Sequence, residues 1–435
     1  MKSFPITATA LFVFAGSAFA QTGLDLDRAY ASELRAEAQD RASFLGAGAA
    51  SNISVSALMQ VRYMANFRDE QAGGSLGDDD TTVGFSMPRA QIRLSGQVTD
   101  SISGHVSFEF GAAETNGRYD TGVGHLLNAY GAWAVDDNWT LLIGQWHCPV
   151  VAEEGVESEF GLAVDRSAVN EFFNPGYTQG VAGIYTSDNW RAIGAFADGA
   201  AYIGNPDTAN SAFDSAGEND WGFTGRLDFL ISGTWDQFTD FASWRGSNYG
   251  LKLGAGGHYQ QQGNTNPSTG TWGVLGGVAY DEIEVSLWTF DAMVQGDGWN
   301  VFAAYVGHQV DVTPTVGTLP AFVNHGVVVQ GGMFVNDQTE LFARYDGIYL
   351  DSDLSGIAST TEDNFHYLTA GFNYFLVPES HAAKFTVDAV YSFNNTDTLD
   401  ALAPSPGGFN GASTTGLLGE SDGELVLRAQ MTLMF

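Results

Sequence analysis

The largest set of acidic side chains between the predicted strands of this 435-residue chain falls in the stretch 151–176. It holds Glu153, Glu154, Glu157, Glu159, Asp165 and Glu171 against one base, Arg166. Carboxylates gathered at a narrow passage attract cations, because low-dielectric walls focus their field. A second set is spread along the chain: Arg62, Arg89, Arg93, Arg226, Arg344 and Arg428, with Glu109, Asp228, Glu340, Asp346, Asp388 and Glu424 as acidic counterparts. These either brace a wall as ion pairs or guide an ion along it. Neither set resembles catalytic machinery. There is no nucleophile elbow on a strand-to-helix turn, no H-E-x-x-H and no P-loop. The eight histidines are scattered, which argues against a zinc site. Asp78, Asp79 and Asp80, and Asp351 with Asp353, offer oxygens to calcium but lack an ordered ligand spacing, so they read as acidic surface loops. Cys148 is the single cysteine, reads as a wall residue, and leaves no disulfide framework. No cofactor, metal or nucleic-acid partner is expected.

What must position these charges is a series of strands. The last residues, 425–435, alternate: Leu425, Leu427, Ala429, Met431, Leu433 and Phe435 share one face, Val426, Arg428, Gln430, Thr432 and Met434 the other. Period 2 is the strand signature, and this length crosses a bilayer as a tilted strand. From residue 52 onward such segments recur, each bounded by Gly, Asp, Asn or Pro clusters. They read as 53–66, 84–98, 102–111, 125–134, 139–150, 177–186, 190–196, 221–229, 249–261, 284–294, 299–309, 325–335, 339–350, 365–376, 383–393 and 424–435. Sixteen is an even number, as a closed antiparallel barrel from one bacterial chain requires.

The connections sort by length. Every second one is short (99–101, 135–138, 187–189, 295–298, 336–338, 377–382) and those between are long, as in outer-membrane barrels. The connection 230–248 breaks the rule; its Trp235, Phe238, Phe241 and Trp244 point to an interfacial or packed segment. Sixteen strands enclose a lumen too wide for wall side chains to fill, so the polar face turns to water inside and the apolar face to lipid. Arg89, Gln91, Arg93 and Ser95 then face inward, with Ala90, Ile92 and Leu94 outward. The predicted fold class is all-β: a closed antiparallel transmembrane β-barrel of about sixteen strands with a short N-terminal periplasmic helix.

Composition agrees. Of all residues only 16% are charged and 54 are glycine; the net charge is −34, and Lys2, Lys252 and Lys384 are the only lysines. Beyond the amino terminus no apolar run is long enough for a spanning helix. Residues 1–20 read as a cleaved signal peptide, with Lys2 in the n-region and Ala18-Phe19-Ala20 at the cleavage site. Residues 21–50 form the helical periplasmic segment, where Ala31, Leu34, Ala38 and Leu45 make a thin apolar stripe that docks on a partner or self-associates. Residues 51–435 make the barrel.

Several local patterns resemble the phosphate-selective porins O and P. They are Pro88-Arg89-Ala90-Gln91-Ile92-Arg93-Leu94-Ser95-Gly96, Ile143-Gly144-Gln145-Trp146-His147-Cys148-Pro149, Asp165-Arg166-Ser167, Gln179-Gly180-Val181 and Glu340-Leu341-Phe342-Ala343-Arg344-Tyr345. The resemblance implies a sixteen-stranded, usually trimeric outer-membrane channel, anion-selective through pore-lining Arg and Lys. His147 stands where that family commonly has Lys, and lysines are nearly missing. The terminal Phe435 resembles the assembly signal read by the barrel-assembly machinery. In porins the third long loop folds inward, which makes 151–176 the constriction and the wall charges, with His147, the pore lining. The expected function is therefore a passive channel for small hydrophilic solutes, weakly cation-selective by the loop's charge excess. The alternatives are an anion- or phosphate-selective porin, a surface adhesin or structural barrel, and a barrel enzyme. Expected partners are outer-membrane lipid, two further copies in a homotrimer, the assembly machinery and the solutes.

Overall fold

A computed structural model describes residues 52–69, 80–111, 114–115, 118–119, 124–199, 219–263, 273–275, 278–314, 317–357, 362–402, 415–419 and 422–435. The signal peptide and the N-terminal helix expected from the sequence lie outside the described residues, as do Asp78 and Asp79. Sixteen strands form the wall: β1 (Asn52–Phe67), β2 (Thr81–Gln97), β3 (Ile102–Glu109), β4 (His125–Ala134), β5 (Trp139–His147), β6 (Tyr177–Thr186), β7 (Trp190–Ala197) and β8 (Asn219–Ser232) in the first half. The second half is β9 (Gly250–Gly263), β10 (Val278–Gly296), β11 (Trp299–Pro314), β12 (Phe322–Phe334), β13 (Thr339–Tyr349), β14 (Asn364–Phe375), β15 (Ala383–Ser392) and β16 (Glu424–Met434). Each pairs antiparallel with its neighbours in sequence, and β16 pairs with β1, with Arg62 opposite Gln430, so the sheet closes. Phe435 extends the closure: its amide donates to the Ala57 carbonyl at 3.0 Å, and the Ala57 amide donates to its carbonyl at 2.6 Å.

The period-2 pattern is realised on both faces. In β16 Val426, Arg428, Gln430 and Thr432 are buried inward while Leu427 is exposed outward. The exposed large apolar side chains of the wall (Ile92, Leu94, Ile143, Val181, Phe223, Leu427) are surface that lipid accepts. Exposed Trp133, Trp139, Trp190 and Trp299 stand at the short-turn ends, where an aromatic girdle sits. Between β1 and β2 the register shifts at Gln60/Arg62, so Met87 and Pro88 oppose Val61. Pro88 has no amide to give a ladder, and a bulge is where a strand tolerates it.

Strand lengths are uneven. β3 to β7 run 8–10 residues, whereas β8 to β11 run 14–19, longer than a bilayer needs. The sequence pattern begins β10 at 284, whereas backbone pairing carries it back to Val278. The 233–249 connection is packed. It makes a 3-10 turn at Asp236–Thr239, and Phe238, Phe241 and Ala242 are buried. Phe241 lies against Phe302, and Trp244 against Phe334 and Phe375.

The core sits inside the barrel. Its members are the inward side chains of β8 to β16 together with residues of the 151–176 loop, including Val151, Leu162, Val169, Phe172 and Phe173. A helical turn, α1 (Ala168–Phe173), packs on β11, β12 and β13. At Gly326 on β12 an added Cβ would lie 2.6 Å from the Phe173 ring and 2.7 Å from Val169, so only glycine leaves room for this approach.

Candidate functional site

The 151–176 loop runs through the lumen, and its carboxylates divide into two groups by what they touch. Glu153 and Glu154 fix the loop's own fold. The Ser167 amide donates to Glu153 at 2.8 Å, and the Ser167 hydroxyl donates to the same carboxylate. Ser167 in turn caps α1 by accepting from the Asn170 amide, the usual work of a serine at a helix start. Glu154 accepts from Asn170 Nδ2 at 2.8 Å and pairs with Arg166 at 3.2 Å, with His147 Nε2 at 3.3 Å.

The second group reaches the wall. Asp165 pairs with Arg62 of β1 at 2.7 Å and Arg89 of β2 at 3.1 Å. Glu159 pairs with Arg93 of β2 at 2.5 Å, and Glu157 with the same guanidinium at 3.4 Å. Arg344 of β13 donates to the Asp165 carbonyl at 2.9 Å and lies 4.0 Å from Glu153. From β15, Asp388 accepts from the Val164 amide, while Arg428 of β16 holds that same carboxylate at 2.8 Å.

These pairings correct the expectation read from the strands, in which each wall arginine took a wall carboxylate and the loop acids stood in excess. Arg226, Arg344 and Arg428 do have wall partners, Asp228, Asp346 and Asp388. Arg62, Arg89 and Arg93 instead take loop carboxylates. Three expected acidic counterparts serve elsewhere. Glu109 accepts from the Ala90 and Gly111 amides, Glu340 from Asn300 and Asn373, and Glu424 from Asn66 and the Leu418 and Gly419 amides. Asp291, not singled out from the sequence, joins Asp228 on Arg226 at 2.9 Å. Its inward position on β10 was the available signal.

Electrostatics follow the pairing. Burial alone pushes the Asp165 carboxyl up, but Arg89 and Arg62 outweigh it and hold the group well below the usual carboxylate range. Burial likewise opposes ionisation of Glu154, and Arg166 and His147 outweigh it. Glu171 behaves oppositely. Among the described residues it makes no side-chain ion pair with a base; burial, reinforced by the charges of Asp165 and Glu154, pushes its carboxyl up to about 8.

What remains in contact with water is a different set from what the sequence counts. The side chains of Asp165, Glu159, Glu153 and Glu154 are at most 4% exposed, while Arg93 is 20%, Arg89 16% and Arg166 14% exposed. His147, at 28%, and Glu157, at 56%, complete the rim. Beside them, the inward residues of β3 and β4, His105, Asn128 and Tyr130, are part-exposed. Cys148 is buried beside Thr224 and His258, away from this rim. Asp351 accepts from the Val323 and Asp353 amides and so closes a loop.

A closed sixteen-stranded barrel with an apolar belt outside and an arginine-tied loop across its lumen defines a bacterial outer-membrane channel of the porin class. The model of the phosphate-selective porin O and P family matches residues 59–400, and the chain belongs to that family. No curated protein matches the sequence. Among solved structures the chain is similar to an anion-selective porin from Comamonas acidovorans, at 10% identity and a TM-score of 0.56 over 88% of this chain and 100% of that one. It is also similar to the outer membrane channel DcaP of Acinetobacter baumannii, at 13% identity and 0.55 over 89% and 99%. A third likeness is to OprB of Pseudomonas putida, at 14% identity and 0.53 over 91% and 96%. At such identities these likenesses carry the fold, and the family carries the location, the bacterial outer membrane.

Proposed function

We propose that this porin is a passive diffusion channel for small hydrophilic solutes whose constriction modestly favours anions. The observation that supports this is the unequal exposure of opposite charges: loop carboxylates are buried in ion pairs, while Arg89, Arg93 and Arg166 keep lumenal surface. A buried, paired carboxylate gives little net field to a passing ion, whereas a part-exposed guanidinium offers donors to any oxyanion. Glu157 is the acidic exception at the rim. The weak cation preference expected from loop composition rests on counting charges that are here neutralised. A reading in favour of cations draws on the acidic outer loops, with Asp351, Asp353, Glu362 and Asp363 among the described residues.

Single-channel recording with a KCl gradient tests both. Discrete open steps are expected, with a zero-current potential of anion sign that grows in Glu157→Gln and falls in Arg93→Gln. Silent bilayers containing folded protein would remove the channel reading. A cation-sign potential insensitive to both changes would restore the acidic-mouth reading.

The cleaved leader at 1–20, the periplasmic helix at 21–50 and delivery by the assembly machinery through Phe435 belong to the same proposal. Deleting Phe435 is expected to leave unfolded protein in the periplasm, read by loss of heat-modifiable barrel. A homotrimer is proposed as well. It is supported by an outward apolar groove of about 1010 Å³ over the short strands, floored by Gly131, Gly183, Gly194 and Gly225. Mass measurement of the detergent-extracted native protein tests that assembly.

A further inference from the structure

Beneath the tip of the lumenal loop lies a second inward-folded segment, and one histidine joins the two. His381, in the turn between β14 and β15, is buried. Its Nε2 is 2.7 Å from the Asp240 carboxylate in the 233–249 segment. Its Nδ1 is 3.1 Å from the carbonyl oxygen of Glu159 at the loop tip. A backbone carbonyl can only accept a hydrogen bond, and so can an ionised carboxylate. Satisfying both requires a ring with two N–H groups, which is the imidazolium. The ring is enclosed edge-on by Phe160, Trp244 and Phe375 at centroid distances of 5.0, 5.4 and 5.2 Å. Backbone contact joins the same two segments, the Phe241 amide donating to the Phe160 carbonyl at 3.3 Å.

The other charged groups facing this joint come from three elements. Lys384 of β15 donates to the carbonyls of Glu159 and Gly161 at 2.8 and 2.7 Å. The Glu159 carboxylate turns away to Arg93. Glu340 of β13 faces Asp240 and Lys384 across the interior.

We propose that His381 is a positioning residue for the constriction: as an imidazolium it pins the loop tip, from the periplasmic side, to the 233–249 segment. A neutral ring has one N–H to give. Asp240 is the stronger acceptor and keeps it, so Nδ1 then turns a lone pair toward the Glu159 carbonyl. The tip is left on Lys384 and the Phe241 contact. Loss of one ring proton therefore loosens the joint, and the constriction loosens with it.

The test is amide hydrogen exchange across 236–244 in the full folded barrel, corrected for the intrinsic pH dependence of exchange. For the unmodified protein, protection is expected to fall about tenfold or more between about pH 5.5 and about pH 8.5, the worth of one charge-assisted hydrogen bond. His381→Gln, which donates one bond at any pH, should show the lower protection throughout and no pH step. Asp240→Asn keeps an acceptor but removes the charge that favours the imidazolium, so the step should move to lower pH. A merely structural contact would give no such movement. Unchanged protection across pH in the parent, or the same step in His381→Gln, overturns the proposal. Open-channel current noise, recorded in a Glu171→Gln background to remove that carboxyl's contribution, should rise with pH and lose that rise in Glu171→Gln/His381→Gln. A rise that survives in the double variant also overturns it. Failure of the channel reading would abolish the currents and leave the exchange result standing.

Discussion

Along β10 and β11 the inward residues Ile283, Val285, Leu287, Val306, Val310 and Val312 are buried and apolar, while along β3 and β4 the inward residues Ser103, His105, Asn128 and Tyr130 meet water. Both stretches are strands of one closed sheet, with the same alternation and the same outward contact with lipid. They differ in what occupies the lumen beside them. The 151–176 loop and the 233–249 segment are laid against β8 to β16, and the shorter strands from β3 to β7 line the open side. In this half-filled barrel, "inward" means hydrated on one side and core on the other.

Replacing Asp165 by Ala strikes the seam between the two sides and is expected to have the largest effect. Arg62, whose side chain is 0% exposed, would lose its carboxylate partner, at a cost of about 3–5 kcal/mol. Urea unfolding in lipid vesicles measures it. A loss below about 1 kcal/mol, the scale of a surface pair, would mean that the loop is not what balances the wall arginines.

Arginine scanning sharpens the comparison next. Outward Leu427→Arg should cost about 2–4 kcal/mol near the bilayer midplane. On the packed side an inward position should also resist: Thr386→Arg overfills a site only 1% exposed, costing about 1–3 kcal/mol. Inward Ser103→Arg, on the open side, should stay within about 0.5 kcal/mol. Equal costs at Thr386 and Ser103 would dissolve the distinction.

Glycines give a finer version. Gly326→Ala pushes a methyl into Phe173 and Val169 and should cost about 1–3 kcal/mol, whereas outward Gly194→Ala meets nothing within 4 Å and should lie within about 0.5 kcal/mol. Chemical unfolding of the pair is the measurement, and a milder effect at Gly326 than at Gly194 would break the packed assignment.

The smallest effect is one of selectivity. With its carboxyl pushed up to about 8, Glu171 is mostly neutral at pH 7 and gains its charge as pH rises through that value. The zero-current potential should therefore drift toward cations across this range, and Glu171→Gln should flatten the drift. The linkage has the same sign. The folded state holds a proton there that the unfolded chain has released, so stability falls as pH rises from the ordinary carboxyl range toward about 8. A profile unchanged by Glu171→Gln would place the titration elsewhere.

Much of the fold is local information. Strand period, turn residues and connection length are written over stretches of a few residues, so the sixteen strands, the closed sheet and the lipid-facing side of β2, β3, β15 and β16 follow from the sequence. Asp297-Gly298 between β10 and β11 is legible for the same reason: Gly296 pairs with Trp299, and Gly298 takes a φ of +75° that glycine adopts without strain. The aromatic spacing of 235–244 signalled packing, though not its destination.

The charge state of the 151–176 loop is not local. Arg62 and Asp165 are 103 residues apart, and Lys384 and Glu159 are 225 apart. Composition counts six acids against one base in 151–176 and predicts an acidic gate. Tertiary structure brings three wall arginines to that loop, buries Arg62 with Asp165, and leaves Arg89 and Arg93 part-exposed at the water beside the one well-exposed carboxylate, Glu157. The sequence determined which residues carry charge and which strand face each occupies. Only the closed barrel decided which charges meet, because burial and pairing depend on distances across the lumen that no local pattern encodes.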